Sequence, residues 1–232
     1  MAGPFIPFGA AHCSAIALSI ATPLGLAALT RKQAALDKPV RWLLAALIIA
    51  DRILWLVLIE REGWVSAQNL LPMHLCDWAS IAAAVTLIWP NQRSYELAYF
   101  WAFAGTLQAM LTPELAVDFP DLRFIIFFVS HGTVITSVLY LTLAHGMRPY
   151  PSSIPRAAAW SLVYMATAMA TNALAGTNFG YLRMKPFTHS LFDYLAPWPW
   201  YIPELVLIGI VSLLIYYAPF FIWDRRRRAA HI

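Results

Sequence analysis

The feature that most constrains this chain is a succession of apolar blocks, each near 20 residues long, separated by short polar stretches. Seven blocks run at about 10–30, 41–60, 72–89, 94–112, 122–145, 156–174 and 203–223. At helical rise, about 20 residues cross the roughly 30 Å hydrocarbon core of a bilayer. Backbone groups in lipid must bond within their own segment, so each block is predicted to be a helix. The composition agrees, with 60% hydrophobic and 12% charged residues, against about 25% charged in a soluble domain. Pro39, Pro72, Pro90, Pro113, Pro120, Pro155 and Pro203 flank the blocks as helix punctuation. Pro23 lies inside the first block, where it predicts a kink. The expectation is an all-α, polytopic membrane helix bundle of about seven transmembrane helices. No Gly/Ser linker divides it, so 1–232 reads as a single integral membrane domain.

Charge sets the expected orientation. Eleven of the 16 Lys and Arg residues fall on one side of the blocks: Arg31, Lys32, Lys38, Arg41, Arg93, Arg148, Arg156 and the run Arg225–Arg228. Arg61, Arg123, Arg183 and Lys185 fall on the other, and Arg52 lies within the second block. Cationic loops stay in the cytoplasm, which predicts the N-terminus out and the C-terminus in. The net charge of +4 is thus spread as a topology signal and does not point to nucleic acid. The start, MAGPFIPFGAAHC, has no basic n-region, so no cleavable signal peptide is expected. A multi-pass protein of the cell inner membrane follows.

Polar residues inside spans are costly and tend to have roles. Here they gather in the outer half. The third block opens with Met73, His74, Leu75, Cys76 and Asp77, which puts Cys76 about 6 Å below the boundary set by Pro72. Gln108 and Thr112 share a face near the end of the fourth block, and His131 lies about 13 Å below Leu122. Asn172 closes the sixth block, and Asn178 follows in the loop. Residues 175–202 are aromatic, Gly- and Pro-rich, and too broken to span. They read as an interfacial loop anchored by Trp198, Trp200 and Tyr201, or as a lid over a lipid-facing cavity.

A thiol is a strong nucleophile once deprotonated, and a histidine within reach can take its proton. Cys76 as nucleophile and His131 as base would support acyl transfer through a thioester, with Gln108 and Asn172 or Asn178 binding the oxyanion or headgroup. His74 and Asp77, three apart, would pair or orient the Cys76 region. His189 and Asp193 have a similar spacing in the loop. Asp51 and Arg52, about 100° apart on the second helix, are expected to pair with other helices. The bland reading is that Cys76 only packs, and a Cys13–Cys76 disulfide would abolish its nucleophilicity. Two cysteines cannot supply a four-thiolate site and no HxxxH spacing occurs, so neither metal nor cofactor is expected. The rivals to an enzyme are a transporter or channel using Asp51, Arg52, Gln108 and His131, and a non-catalytic lipid-binding protein. A retinal photoreceptor would need a lysine in the last block, and 203–223 has none.

The same residues carry a resemblance. LPMHLCDWA (71–79), GTLQAMLTPEL (105–115), FP (119–120), FFVSHG (127–132), RPYP (148–151), GTNFGYLRMKP (176–186) and SLFDYLAPWPWY (190–201) occur in this order. Together they resemble the YwaF family of bacterial membrane proteins, from about residue 70 onward. That family is in turn similar to animal transmembrane acyltransferases that remodel ether phospholipids. The resemblance implies Cys76 as the acyl-accepting nucleophile and His131 as the base. It also implies membrane lipids as partners, with a phospholipid acyl donor and a lysophospholipid acceptor. The chain departs from the pattern at Gly180 and Ala196, where a bulkier residue and a Gly are expected.

Overall fold

The computed structural model describes residues 3–187 and 190–229. These form helices α1 (Ala10–Lys32), α2 (Asp37–Arg61), the single turn α3 (Ala67–Leu70) and α4 (Leu75–Ile88). After them come α5 (Gln92–Trp101), α6 (Leu107–Leu111), α7 (Leu122–His145), α8 (Ser153–Ala175) and α9 (Tyr201–Ala229). Among the described residues there are no strands, only an isolated bridge between Pro4 and Val117. The all-α expectation therefore holds.

The helix ends follow local chemistry. Asp121 caps α7 by accepting from the Arg123 N–H at 2.9 Å. Gly146 and Gly176 close α7 and α8 at φ of 64° and 69°, backbone that glycine enters without steric cost. Helix α1 continues through Pro23, which is buried. Intramembrane hydroxyls mostly back-bond within their own helix: Ser19, Thr30, Thr86, Ser137 and Thr142 each donate to the carbonyl four residues earlier.

Among the described residues, five helical stretches are long and apolar enough to cross a membrane: Ala10–Lys32, Ala34–Arg61, Ala67–Ile88, Leu122–His145 and Tyr201–Arg227. The expected spans at 94–112 and 156–174 are helical but fall outside that set: the first is broken into α5, a turn at Ala102–Thr106 and α6, and the second, α8, is long enough but diluted by Arg156, Asn172 and hydroxyl residues. Helix α5 is enclosed by protein, with Tyr95, Glu96, Ala98, Tyr99, Phe100 and Trp101 buried. A helix shielded from lipid can carry a charge, and Glu96 is held by Arg156 of α8 at 2.8 Å.

Helix α7 is the centre of the bundle, with thirteen buried residues against α1, α2 and α4. Close approach rests on small residues, as membrane packing favours. A Cβ on Gly132 of α7 would lie 2.5 Å from Ser19 Oγ of α1. Ala79, Ala82, Ala83, Ala98 and Ala102 are likewise buried between α4 and α5.

The two ends of the bundle differ. The basic end carries Arg31, Arg41, Arg148 and Arg156. The other, hereafter the loop end, carries the start of α4, the 112–121 segment and the long loop between α8 and α9. That loop is ordered by 3₁₀ turns at Phe179–Tyr181 and Leu191–Tyr194 and packs down over α4. Trp198 and Trp200 are exposed as expected of an interfacial anchor. Tyr201 is fully buried instead, and its hydroxyl donates to the Tyr181 carbonyl.

Candidate functional site

The loop-end cluster is built on the first turn of α4. Asp77 accepts from the His74 N–H at 2.9 Å and so caps the helix from its third position. Helix α4 begins at Leu75, which places Cys76 second in it. The position of Pro72 predicts Cys76 just past the first turn; it lies within that turn, between the His74 N–H bonded to Asp77 and the Asp77 N–H that donates to the His74 carbonyl at 3.0 Å. Both cysteines are free thiols. Cys13 is exposed and donates to the Phe8 carbonyl at 3.2 Å, and Cys76 is half-buried. No Cys13–Cys76 disulfide forms.

Arg52 and Asp51 find partners on other helices. The Arg52 guanidinium reaches the Leu70 carbonyl and lies 3.9 Å from Asp77, while Asp51 meets the Ser130 hydroxyl of α7. His74 accepts from Gln68 Nε2 at 3.1 Å, and the Phe179 ring stands edge-on to it at 5.0 Å. Gln68 also accepts from the Asn178 N–H at 2.7 Å, tying the loop to α3 and, through His74, to the start of α4.

His131 is buried in α7. Its Nδ1 contacts the Phe127 carbonyl at 2.8 Å, and the Phe127 ring stacks on it at 4.1 Å. A carbonyl only accepts, so Nδ1 carries the proton and Nε2 keeps its lone pair, the form a general base requires. His131 and His74 are electrostatic neighbours. Cys76 has the Tyr164 and Tyr181 hydroxyls as electrostatic neighbours. No hydrogen bond joins Cys76 Sγ to His131; their helices α4 and α7 pack on one another, and His74, two residues before Cys76, is the electrostatic neighbour of His131.

The expected amides lie elsewhere. Gln108 is exposed. Residues Ala102–Thr106 form a π-helical turn between α5 and α6. Such a turn holds one extra residue, which rotates everything after it by about 100° relative to an unbroken helix. Gln108 is carried outward, while Thr106 is buried and Gly105 comes against Leu75, whose Cδ2 would lie 3.0 Å from a Cβ at that glycine. Asn172 is buried but committed. Its Oδ1 accepts from Phe179 N at 2.7 Å and Thr177 Oγ1 at 2.9 Å, and its Nδ2 donates to the Phe179 carbonyl at 3.0 Å. Asn178 Oδ1 accepts from the N–H groups of Arg183 and Met184, and its Nδ2 donates to the Met184 carbonyl. Both asparagines shape the loop that covers the site. His189 lies outside the described residues.

Two side chains absent from the sequence-based set complete the cluster. Tyr181 donates to Glu114 Oε2 at 2.8 Å; burial, then the Glu114 carboxylate, pushes its phenol above its ordinary range. Its φ of 54° is left-handed, a conformation uncommon for a residue with a Cβ, next to Gly180 at 64°. Tyr164 of α8 stands with its ring edge to Trp78 at 5.4 Å. A tyrosine within an Ala-rich span is the available signal, since a buried phenol usually finds a partner.

Beyond Trp78, an apolar groove of about 350 Å³ runs along α4, α5 and α8, lined by Trp78, Ile81, Val85, Leu97, Trp101 and Trp160. Ile81, Val85 and Trp160 are exposed along it, so it faces the bilayer side. Among the described residues no three His, Cys, Asp or Glu side chains converge on a common point as a metal would require.

No curated protein and no solved structure matches the chain. The model of a transmembrane family does match, over residues 7–217, and so takes in the first two helices, which lie before the sequence motifs. This multi-pass membrane protein belongs to the TMEM164 family.

Proposed function

We propose that this protein is a membrane-embedded acyltransferase that moves a fatty acyl chain between glycerophospholipids through a thioester on Cys76. The observation that carries the reading is the loop-end cluster: a free thiol in the first turn of α4, on helices packed with one that holds a buried histidine with its Nε2 lone pair unused. Cys76 Sγ attacks the ester carbonyl carbon as its proton passes to His131 Nε2. The tetrahedral intermediate collapses, the bond to the glycerol oxygen breaks, and that oxygen takes the proton back from His131. A lysophospholipid hydroxyl then repeats the sequence in reverse and carries the acyl chain away. Catalytic contacts are often long without substrate, so thiol and imidazole close on one another as the ester binds.

The groove along α4 supports a lipid substrate, because it is apolar and its Trp78 packs against Tyr164, an electrostatic neighbour of Cys76. In this reading, which the positive-inside distribution supports, the cluster works in the outer half of a cell inner membrane. Arg52 and Asp51 each have a protein partner, which favours a structural role for them over an ion path.

The test is acyl exchange in liposomes that contain phosphatidylethanolamine with a deuterated acyl chain and unlabelled lysophosphatidylethanolamine, followed by lipid mass spectrometry. Wild-type protein should transfer the label, and Cys76→Ala should reduce transfer to the protein-free rate while eluting as a folded species. Full transfer by Cys76→Ala would remove the mechanism.

A further inference from the structure

Among the described residues, two buried side-chain polar atoms have no hydrogen-bond partner: Thr106 Oγ1 and Tyr164 Oη. A buried unpaired hydroxyl is costly, so each calls for a reason. Tyr164 is 7% exposed, and its ring is held by Trp78. Its hydroxyl points toward the first turn of α4, where its polar neighbours are the Cys76 thiol, the Leu75 backbone N–H, the Tyr181 hydroxyl and the Asp77 carboxylate, which is already engaged by the His74 N–H and by Arg52. The Leu75 N–H can only donate, so it offers no acceptor to the phenolic proton. The other side of the hydroxyl is kept open by Gly180, where a Cβ would lie 2.9 Å from Tyr164 Oη. An O–H with no acceptor beside a nucleophile has the form of a donor waiting for an oxygen that arrives with substrate.

We infer that Tyr164 is a catalytic residue that donates its phenolic hydrogen bond to the acyl carbonyl oxygen during attack by Cys76. This inference rests on the acyl-transfer reading. As the S–C bond forms, the carbonyl π pair moves onto oxygen, and that oxyanion accepts from Tyr164 Oη. When the C–O bond to the leaving oxygen breaks, the pair returns and the hydrogen bond relaxes. Tyr164 keeps its proton throughout. Tyr164 thereby fills the role expected of Gln108, which the π-helical turn carries outward.

The test uses full-length protein in detergent with p-nitrophenyl decanoate, which reports acylation of the thiol by release of nitrophenolate. Tyr164→Phe keeps the ring and removes only the hydroxyl. It should slow acylation by about 100-fold, the usual effect of losing one oxyanion donor, with the loss in the rate constant and little change in KM. Labelling of Cys76 by a small maleimide should match the wild type, and thermal stability should be equal or higher, which a merely structural tyrosine would not give. Acylation by Tyr164→Phe within twofold of wild type, with Cys76→Ala inactive, would overturn this inference and leave the thiol mechanism standing. Acylation that persists in Cys76→Ala, or its absence from wild type, would overturn both.

Discussion

Asp37 and Tyr164 lie at opposite ends of the same bundle and are treated in opposite ways. Asp37 accepts from Tyr140 at 2.7 Å, from Arg41 at 3.0 Å and from His145 at 2.7 Å, joining α2 to α7. Nearby, Glu96 is enclosed by Arg156 and Gln92, and Arg148 is paired with Asp224. Each of these groups at the basic end has its partner, as expected where polarity serves packing. At the loop end, Tyr164 and Thr106 have none, Cys76 is a free thiol, and Tyr181 is held in left-handed backbone. Unpaired groups and unfavourable dihedrals persist only where the surrounding fold holds them, and such places are often functional. The contrast separates polar residues that build the protein from those available to a substrate.

The contrast can be broken by removing one group at a time and measuring thermal stability in detergent. The largest effect is expected from Arg156→Ala at the basic end. Glu96 is 1% exposed, and losing its cation leaves a buried charge with only Gln92 beside it. A loss of about 3 kcal/mol is expected, and an unchanged melting temperature would show that this end is not held by its ion pairs. Thr86→Val should cost about 1 kcal/mol, because Thr86 Oγ1 bonds both the Ala82 carbonyl and Ser94 Oγ at 2.7 Å. Thr106→Val is the matched change at the loop end and should be the smallest: neutral, or stabilising by about 0.5 kcal/mol, since no bond is lost. A loss from Thr106→Val as large as that from Thr86→Val would mean the loop end is as fully satisfied as the basic end.

Much of the architecture is legible in the sequence. Block lengths and flanking prolines mark the helices, and the placement of His74, Cys76 and His131 toward one end of their helices marks where to look. Asp51 and Arg52 are expected to find partners on other helices, and they do. The helix count is less legible. The fourth block is broken into α5, a π-helical turn and α6, and α5 carries the buried Glu96. The candidate amides are the least legible part. Asn172 and Asn178 have the right chemistry, but the loop that follows α8 consumes it, through bonds to Phe179, Thr177, Arg183 and Met184 that no spacing rule reveals.

By itself, the sequence determined that this chain lives in a bilayer as helices, because a continuous apolar stretch leaves the backbone no other way to satisfy its polar groups. It also determined which end of the bundle holds the thiol and the imidazole, since depth along a helix is simple counting. Only the tertiary structure decided which side chains turn inward at that depth. One extra residue in the turn Ala102–Thr106 moved Gln108 out, and Gly180, in the loop beyond α8, left room for the Tyr164 hydroxyl. Facing depends on helical phase and on contacts between distant segments, and neither is a property of any local stretch of sequence.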